Sequence, residues 1–404
     1  MTRCNPFPFF AAALAGTVLH AQCTNPWLPG TGYPGVLGRT ADATAWDPDG
    51  PGPATDRLVL VGDFTLAGST AAYQLAVFDP ATGAWSELGG NPDGDIRAVL
   101  ALPNGDLIAA GDFRHIGGVL VDYIARWDGT SWLAIGGGMS SSVYSLALAP
   151  NGDVVAGGTF SQAGGITALR VARWNGLMWS AIGTGIGPGS GSRVASLAIA
   201  PNGDIAAGGY LRTGSGSVGS PFRYWDGVSW GSLGFGAAAN EVRAVAIRPN
   251  GNIAVGGLFN LVGGTPVNYV AEWNGSSWVP LGAGNDNGTD NWVNELAVAP
   301  NGDLLVGGNF TRAGSIVAAK VARWDGTSWS SFGGGVTTHP TEYVLTLTSM
   351  PNGDLFVSGS FETAGGVPAR SVARWDGAGW SAVRGSTEGA RAGNEGSSRG
   401  AVLY

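Results

Sequence analysis

Along residues 143–149, VYSLALA, apolar side chains alternate in size, with Leu146 and Leu148 flanking Ala147. The alternation returns as Leu197 and Ile199, Val245 and Ile247, and Leu296 and Val298, with Ala198, Ala246 and Ala297 between them. A period of two predicts a strand, and one bulky plus one small apolar face predicts a sheet covered on both sides. These runs lead into Pro-centred turns, most of them Pro-Asn-Gly-Asp. Pro presets the first turn position, Asn tolerates the next, and Gly supplies the left-handed residue. Pro48, Pro103, Pro150, Pro201, Pro249, Pro300 and Pro351 mark the register, at spacings of 55, 47, 51, 48, 51 and 51 residues.

Each repeat divides into four strand-sized pieces, A to D. Strand A precedes the Pro turn. Strand B ends in a glycine doublet and an aromatic, as in Gly157-Gly158-Thr159-Phe160, Gly256-Gly257-Leu258-Phe259 and Gly307-Gly308-Asn309-Phe310. Strand C is VARWDG or a variant, and strand D begins at the next Trp. The aromatic pairs are Trp127/Trp132, Trp174/Trp179, Trp225/Trp230, Trp273/Trp278, Trp324/Trp329 and Trp375/Trp380, with Phe78 and Trp85 in the first blade. A period near 50 residues made of four short strands predicts an all-β fold, a seven-bladed β-propeller with four antiparallel strands per blade. Single blades cannot bury both faces, so the 404 residues are expected to close into one body.

Composition changes this picture little. Glycine contributes 70 residues, but at fixed offsets among Val, Leu, Ile and Trp, which fits tight β turns and not low complexity. Charged residues are 12% and the formal net charge is −8, which disfavours nucleic acid or an anionic membrane surface as partner. Residues 1–21 read as a secretory signal, with Arg3, an apolar core from Phe9 to Val18, and Leu19-His20-Ala21 as cleavage site. No apolar run is long enough to span a bilayer. A secreted, periplasmic or cell-surface location is expected. Cleavage after Ala21 removes Cys4 and leaves Cys23 alone, so no intrachain disulfide is expected. The propeller is expected over 22–384, and the Gly/Ser-rich segment 385–404 as a disordered tail. Trp27-Leu28-Pro29-Gly30 resembles the end-of-blade segment Trp132-Leu133-Ala134-Ile135, so the chain is expected to enter partway through a blade.

Several motifs invite functional readings that their context opposes. The PNGD turns lack the ligand spacing of calcium loops. The Gly-x-Gly stretches precede no helix, so they lack the amide cradle of a phosphate site. The Trp stripe recurs once per blade beside Asp-Gly or Asn-Gly turns, which favours blade packing over a stacking platform for sugars or bases. Arg126, Arg173, Arg323 and Arg374 recur likewise and are expected to pair across blades or stack on Trp, with Glu272 in the equivalent place of one blade.

These motifs resemble kelch-type propeller repeats, most closely in Val77-Phe78-Asp79-Pro80-Ala81-Thr82-Gly83-Ala84-Trp85. The other blades are more similar to the GGxF and ARWDG repeats of secreted bacterial and cell-surface propellers. Kelch-like propellers include galactose-oxidase-like enzymes, whose copper site needs a Tyr–Cys cofactor, a second Tyr and two His. Cys4 and Cys23 precede the blades, and His115 and His339 are the only His outside the signal, so that site cannot be built. Zinc and heme sites fail on ligand count, so neither metal nor cofactor is expected.

Antiparallel order places the A–B and C–D turns on one face and the B–C and D–A loops on the other. The first set is nearly constant along the chain, whereas the second varies, and variation on a constant scaffold assigns specificity to the second face. Counting eight residues back from each Pro turn gives Asp95, Ser142, Arg193, Glu241, Trp292 and Tyr343. Equivalent positions in a closed ring converge on its axis. The candidate ligand-binding set is therefore Asp95, Arg97, Arg193, Glu241, Arg243, Trp292, His339, Glu342 and Tyr343. Mixed acid, base and aromatic side chains suit a protein or carbohydrate ligand, so a non-enzymatic binding or scaffold protein, expected to be a monomer, is the first reading. The alternative is a carbohydrate-active hydrolase or lyase with Asp95, Glu241 or Glu342 as acid/base. Asp286, Asp290 and nearby Asn side chains could hold a cation, but such runs more commonly form turns.

Overall fold

The computed structural model describes residues 31–386, apart from 216, 218, 238–240, 337, 338 and 340. The expected signal peptide, the segment 27–30 and residues 387–404 lie outside the described residues. The alternating runs form strands as the spacing predicts, and the chain folds into a β-propeller of seven antiparallel sheets, each in the order A-B-C-D. The A strands are Val36–Trp46, Ile96–Ala101, Val143–Leu148, Arg193–Ile199, Glu241–Ile247, Val293–Val298 and Tyr343–Ser349. They neighbour one another in a closed ring, the last packing on the first.

The core lies between blades, not within them. The buried apolar residues fall into seven clusters, and each joins one blade to the next. The first glycine of the strand B doublet makes this packing possible. A Cβ on Gly157 would lie 2.6 Å from Val194 of the next blade, and Gly208, Gly256 and Gly307 meet Val242, Val293 and Val344 at 2.4–2.6 Å. The Trp stripe serves the same junctions. Rings within each Trp pair lie 5.2–5.6 Å apart. The strand D indole N–H then donates to a carbonyl of the preceding blade: Trp132 to Gly89, Trp179 to Ile135, Trp230 to Ile182, Trp278 to Leu233, Trp329 to Leu281 and Trp380 to Phe332, at 2.8–3.3 Å. The seventh counterpart, Trp85, is buried, and its Nε1 has no acceptor among the described residues.

The recurring arginines correct the sequence reading, because they pair within their own blade. Arg126 bonds Asp106 at 2.7 Å, Arg374 lies 2.7 Å from Asp354 and Arg323 lies 3.3 Å from Asp303, in each case the Asp of the blade's own PNGD turn. The turn Asn holds that Asp in place, as Asn104 does for Asp106 at 2.7 Å. The Asp begins strand B next to the Trp end of strand C, so the nearest cation is the one on its own sheet. In the fourth blade Tyr224 replaces the Arg and donates to Asp204 at 2.6 Å. The fifth blade inverts the charges. Asn252 stands where the turn Asp would be, Glu272 replaces the Arg, and Arg248 enters from strand A to meet Glu272 at 3.4 Å. Both side chains are buried, and Arg248 also donates to the Gly302 carbonyl of the sixth blade at 3.2 Å.

The chain does not enter partway through a blade within the described residues: blade 1 starts with strand A, and blade 7 takes strand D from its own run Trp380–Ala382. Closure uses a separate two-stranded ribbon, in which Thr31–Pro34 runs antiparallel to Arg384–Ser386 and Thr31 faces Ser386. That ribbon takes in the first two residues of the segment expected as a tail. Beside it Val36 N–H donates to Arg370 O at 3.2 Å and Ser371 Oγ to Gly38 O at 3.2 Å. Among the described residues no helix is long and apolar enough to cross a membrane.

Candidate functional site at the channel mouth

Strand A is an edge strand in every sheet, and an edge presents N–H and C=O groups without ladder partners. Here the seven edges surround the axis, and side chains cover part of what they expose. Val99 N–H donates to Asp42 Oδ2 at 2.9 Å, Val245 N–H to Ser196 Oγ at 3.0 Å, and Asn294 Nδ2 to Val344 O at 2.9 Å. Each contact joins one blade to the next. Asp42 and Glu295 occupy the same register position on the wall. Both are half-buried, and their carboxyls are largely surrounded by protein. Burial raises Asp42 to about 6 against hydrogen bonds from Val99 and Ala43 N–H. Burial, reinforced by the charge of Asp42, raises Glu295 to about 8.

Above this wall every A strand carries a bulge, where one residue has no partner on strand B: Ala41, Arg97, Tyr144, Ala195, Arg243, Asn294 and Leu345. One strand B glycine per blade, the second of a doublet in blades 3 to 6 and a single glycine in blades 1, 2 and 7, fixes the adjoining backbone. A Cβ at Gly62, Gly111, Gly158, Gly209, Gly257, Gly308 or Gly359 would lie 2.0–2.4 Å from the carbonyl oxygen of Arg39, Asp95, Ser142, Arg193, Glu241, Trp292 or Tyr343 respectively. One contact, repeated seven times, thus sets one residue per blade at the rim. Gly257→Ala is accordingly expected to displace the Glu241 backbone and cost about 1–3 kcal/mol, as overpacking does, measured by urea denaturation. A cost below experimental error would show that the contact does not fix the rim.

The structure joins most of the expected residues into one arc. Arg97 lies 3.2 Å from Asp95 and 2.5 Å from Asp112. Burial works against the charge on Asp112, but the Arg97 guanidinium outweighs it and holds the carboxyl below its usual range. Tyr144 has the guanidiniums of Arg97 and Arg193 each 5.2 Å from its ring centre. Arg193 pairs with Glu241, Glu241 with Arg243 at 3.2 Å, and Arg243 lies 5.4 Å from the exposed Trp292 ring and 2.6 Å from Asn294 Oδ1. Acid, guanidinium and aromatic ring so alternate from the second blade to the sixth.

Beside the arc lies a cavity of about 400 Å³, lined by Arg39, Thr40, Ala41, Asp63, Asp95, Arg97, Tyr144, Tyr343 and Leu345 among others. Ala41 and Ala195 are the smallest of the bulge residues, and of the two only Ala41 lines this cavity, where its short side chain leaves room at blade 1. Sequence counting missed Arg39, because the blade 1 rim residue stands nine positions before Pro48 where the others stand eight. His339 and Glu342 do not line this cavity. His339 is exposed, with Nδ1 2.9 Å from Thr341 Oγ1. Glu342 lies near buried Lys320, whose amine burial lowers while Asp290 and Glu342 oppose that shift. Asp290 clips its loop to the next hairpin through Thr311 and Arg312 N–H at 2.7 and 3.0 Å. A larger groove of about 500 Å³ lies on the opposite, constant face between blades 3 and 4. Its polar lining includes Arg173 and Asp204, which belong to the repeated turn scaffold.

The fold and this mouth define a β-propeller with a polar, variable rim on one face. A family model described as a domain of unknown function (DUF5122) beta-propeller matches residues 149–176. No curated protein sequence matches the chain. Among solved structures the chain is similar to the extracellular domain of a hybrid two component system from B. thetaiotaomicron, at 12% identity and TM-score 0.50, covering 85% of this chain and 39% of that one. A second such ectodomain from B. thetaiotaomicron matches at 11% identity and TM-score 0.43, covering 80% and 37%. The chain therefore spans well under half the length of either ectodomain. YCF48 bound to D1 peptide matches at 16% identity and TM-score 0.45, covering 85% and 96%.

Proposed function

We propose that the chain is a secreted, non-enzymatic binding or scaffold propeller that recognises a protein or carbohydrate through its B–C and D–A loop face. The observation carrying this reading is the rim itself: one backbone contact repeated in every blade presents seven side chains, of which only the arginine recurs. A scaffold that holds position constant and lets chemistry vary is suited to recognition. Export through residues 1–21, a monomeric state and kinship with kelch-like repeats belong to the same reading.

Trp292→Ala together with Tyr343→Ala is expected to abolish retention on a glycan or protein panel without lowering Tm, because both side chains are solvent-accessible. Retention equal to that of the unchanged protein would remove the rim from the proposal. The second reading, a carbohydrate-active hydrolase, draws on one further observation. Glu295, at about 8, carries a proton at neutral pH, whereas Glu241 is tied to two guanidiniums. Product released from the same panel, and lost in Glu295→Gln, would favour it.

A further inference from the structure

We infer that the cavity beside blade 1 takes an amino-acid-derived zwitterion, a free amino acid or short peptide whose carboxylate meets Arg39 and whose ammonium meets Asp63. The inference rests on the rim being the ligand face and narrows the choice between protein and carbohydrate.

Charge pairing around the mouth carries the argument. Arg97 is matched by Asp95 and Asp112, and Arg193 and Arg243 share Glu241. Arg39 and Asp63 differ. Both line the cavity, both are exposed, and neither has a hydrogen-bond or ion-pair partner for its side chain among the described residues. They stand directly opposite each other on strands A and B of blade 1, yet their side chains do not bond. The cavity thus offers one unmatched cation and one unmatched anion at neighbouring positions.

Three ligand classes fare differently against that pair. A simple anion such as a uronate satisfies Arg39 but faces Asp63 and Asp95. A simple cation faces Arg39 and Arg97. A neutral sugar displaces water from both charges and returns no opposite charge to either. A zwitterion returns both, and hydrogen bonds between ionised partners are the stronger kind. Tyr343 and Leu345, which also line the cavity, offer apolar surface for the remainder of the ligand.

The test titrates the full chain by saturation-transfer NMR with glycylglycine, N-acetylglycylglycine, glycylglycinamide, glucuronate and glucose. Glycylglycine is expected to bind, and each blocked form to bind at least about tenfold more weakly, the loss of one ionic hydrogen bond. Arg39→Gln should erase the discrimination against the amide, and Asp63→Asn that against the acetylated form. Both replaced side chains are exposed, so unchanged Tm is expected and serves as the control. No glycylglycine binding at about 10 mM, equal binding of the blocked forms, or unaltered discrimination in both variants would each overturn the inference. Glucose or a glycan retained by the intact protein and released by the Trp292/Tyr343 double replacement would overturn it while leaving the rim as the ligand face. Loss of neither ligand in any rim variant would remove the rim reading itself.

Discussion

Replacing Glu272 with Ala is expected to destabilise the protein by about 3–5 kcal/mol, the cost of stranding one member of a buried ion pair. Arg248 would remain with its guanidinium buried and its carboxylate gone, held by the Gly302 carbonyl at 3.2 Å and a long contact to Asp325 O. Those two acceptors place the loss toward the lower end of that range. The other blades supply the control. Where they carry a turn Asp and a strand C Arg, the residue before the Pro is uncharged in blades 2, 3, 6 and 7: Leu102, Ala149, Ala299 and Met350. The triple replacement Asn252→Asp, Glu272→Arg and Arg248→Ala recreates their arrangement and is expected to recover most of the loss. Denaturant titration of the single and triple variants checks both statements. Equal destabilisation of the two would show that the inverted pair is not the source of the effect.

Glu295→Gln is expected to stabilise the protein at alkaline pH and to change it little near pH 5. A carboxyl raised from 4.5 to about 8 keeps its proton in the folded chain after the unfolded chain has released it. Stability associated with this group is therefore full below the unfolded value and is lost as pH rises through the folded one. The raised Asp42, at about 6, adds a loss of the same sign at lower pH. A shift of this size corresponds at most to on the order of 5 kcal/mol, and channel water reduces that to about 2–4 kcal/mol. Gln keeps the shape without the titration, so the unfolding midpoints of variant and parent should diverge from pH 5 to pH 9. Parallel curves over that range would mean that Glu295 does not charge at a cost inside the channel.

Much of the fold was legible because strand alternation and a fixed turn are local signals, and seven copies reinforce one another. The rim was legible in part for the same reason, since equal offsets from Pro150 or Pro249 land on equivalent positions. Three things escaped that counting. Arg39 was missed because the bulge in blade 1 sits one residue farther from its Pro. Tyr144 was missed because a bulge breaks the period of two and turns an extra side chain toward the mouth. The pairing of Arg126 with Asp106 was missed because the repeat fixes which residue types recur, not whether a cation reaches its own sheet or the next. His339 and Glu342 share a loop with Tyr343 but lie outside the cavity lining, because loop membership does not fix where a side chain goes. The signal that could have found Arg39 and Asp63 was available, as the glycine of Val61-Gly62-Asp63 aligns the first blade with Gly111 and Gly158 of the next two.

Among the described residues six of the seven blade junctions carry an indole rivet, and the junction between last and first adds a two-stranded ribbon to its apolar cluster in place of the rivet. That ribbon has a mechanical character the rivets lack. Thr31 lies opposite Ser386, so the chain enters and leaves the ribbon at the same end of an antiparallel pair. Tension applied between its two strands at that end loads the hydrogen bonds in sequence, not together, and the ribbon peels open one rung at a time. A tether at one terminus leaves the ring unloaded, whereas anchoring both would turn the closure into a force-dependent latch.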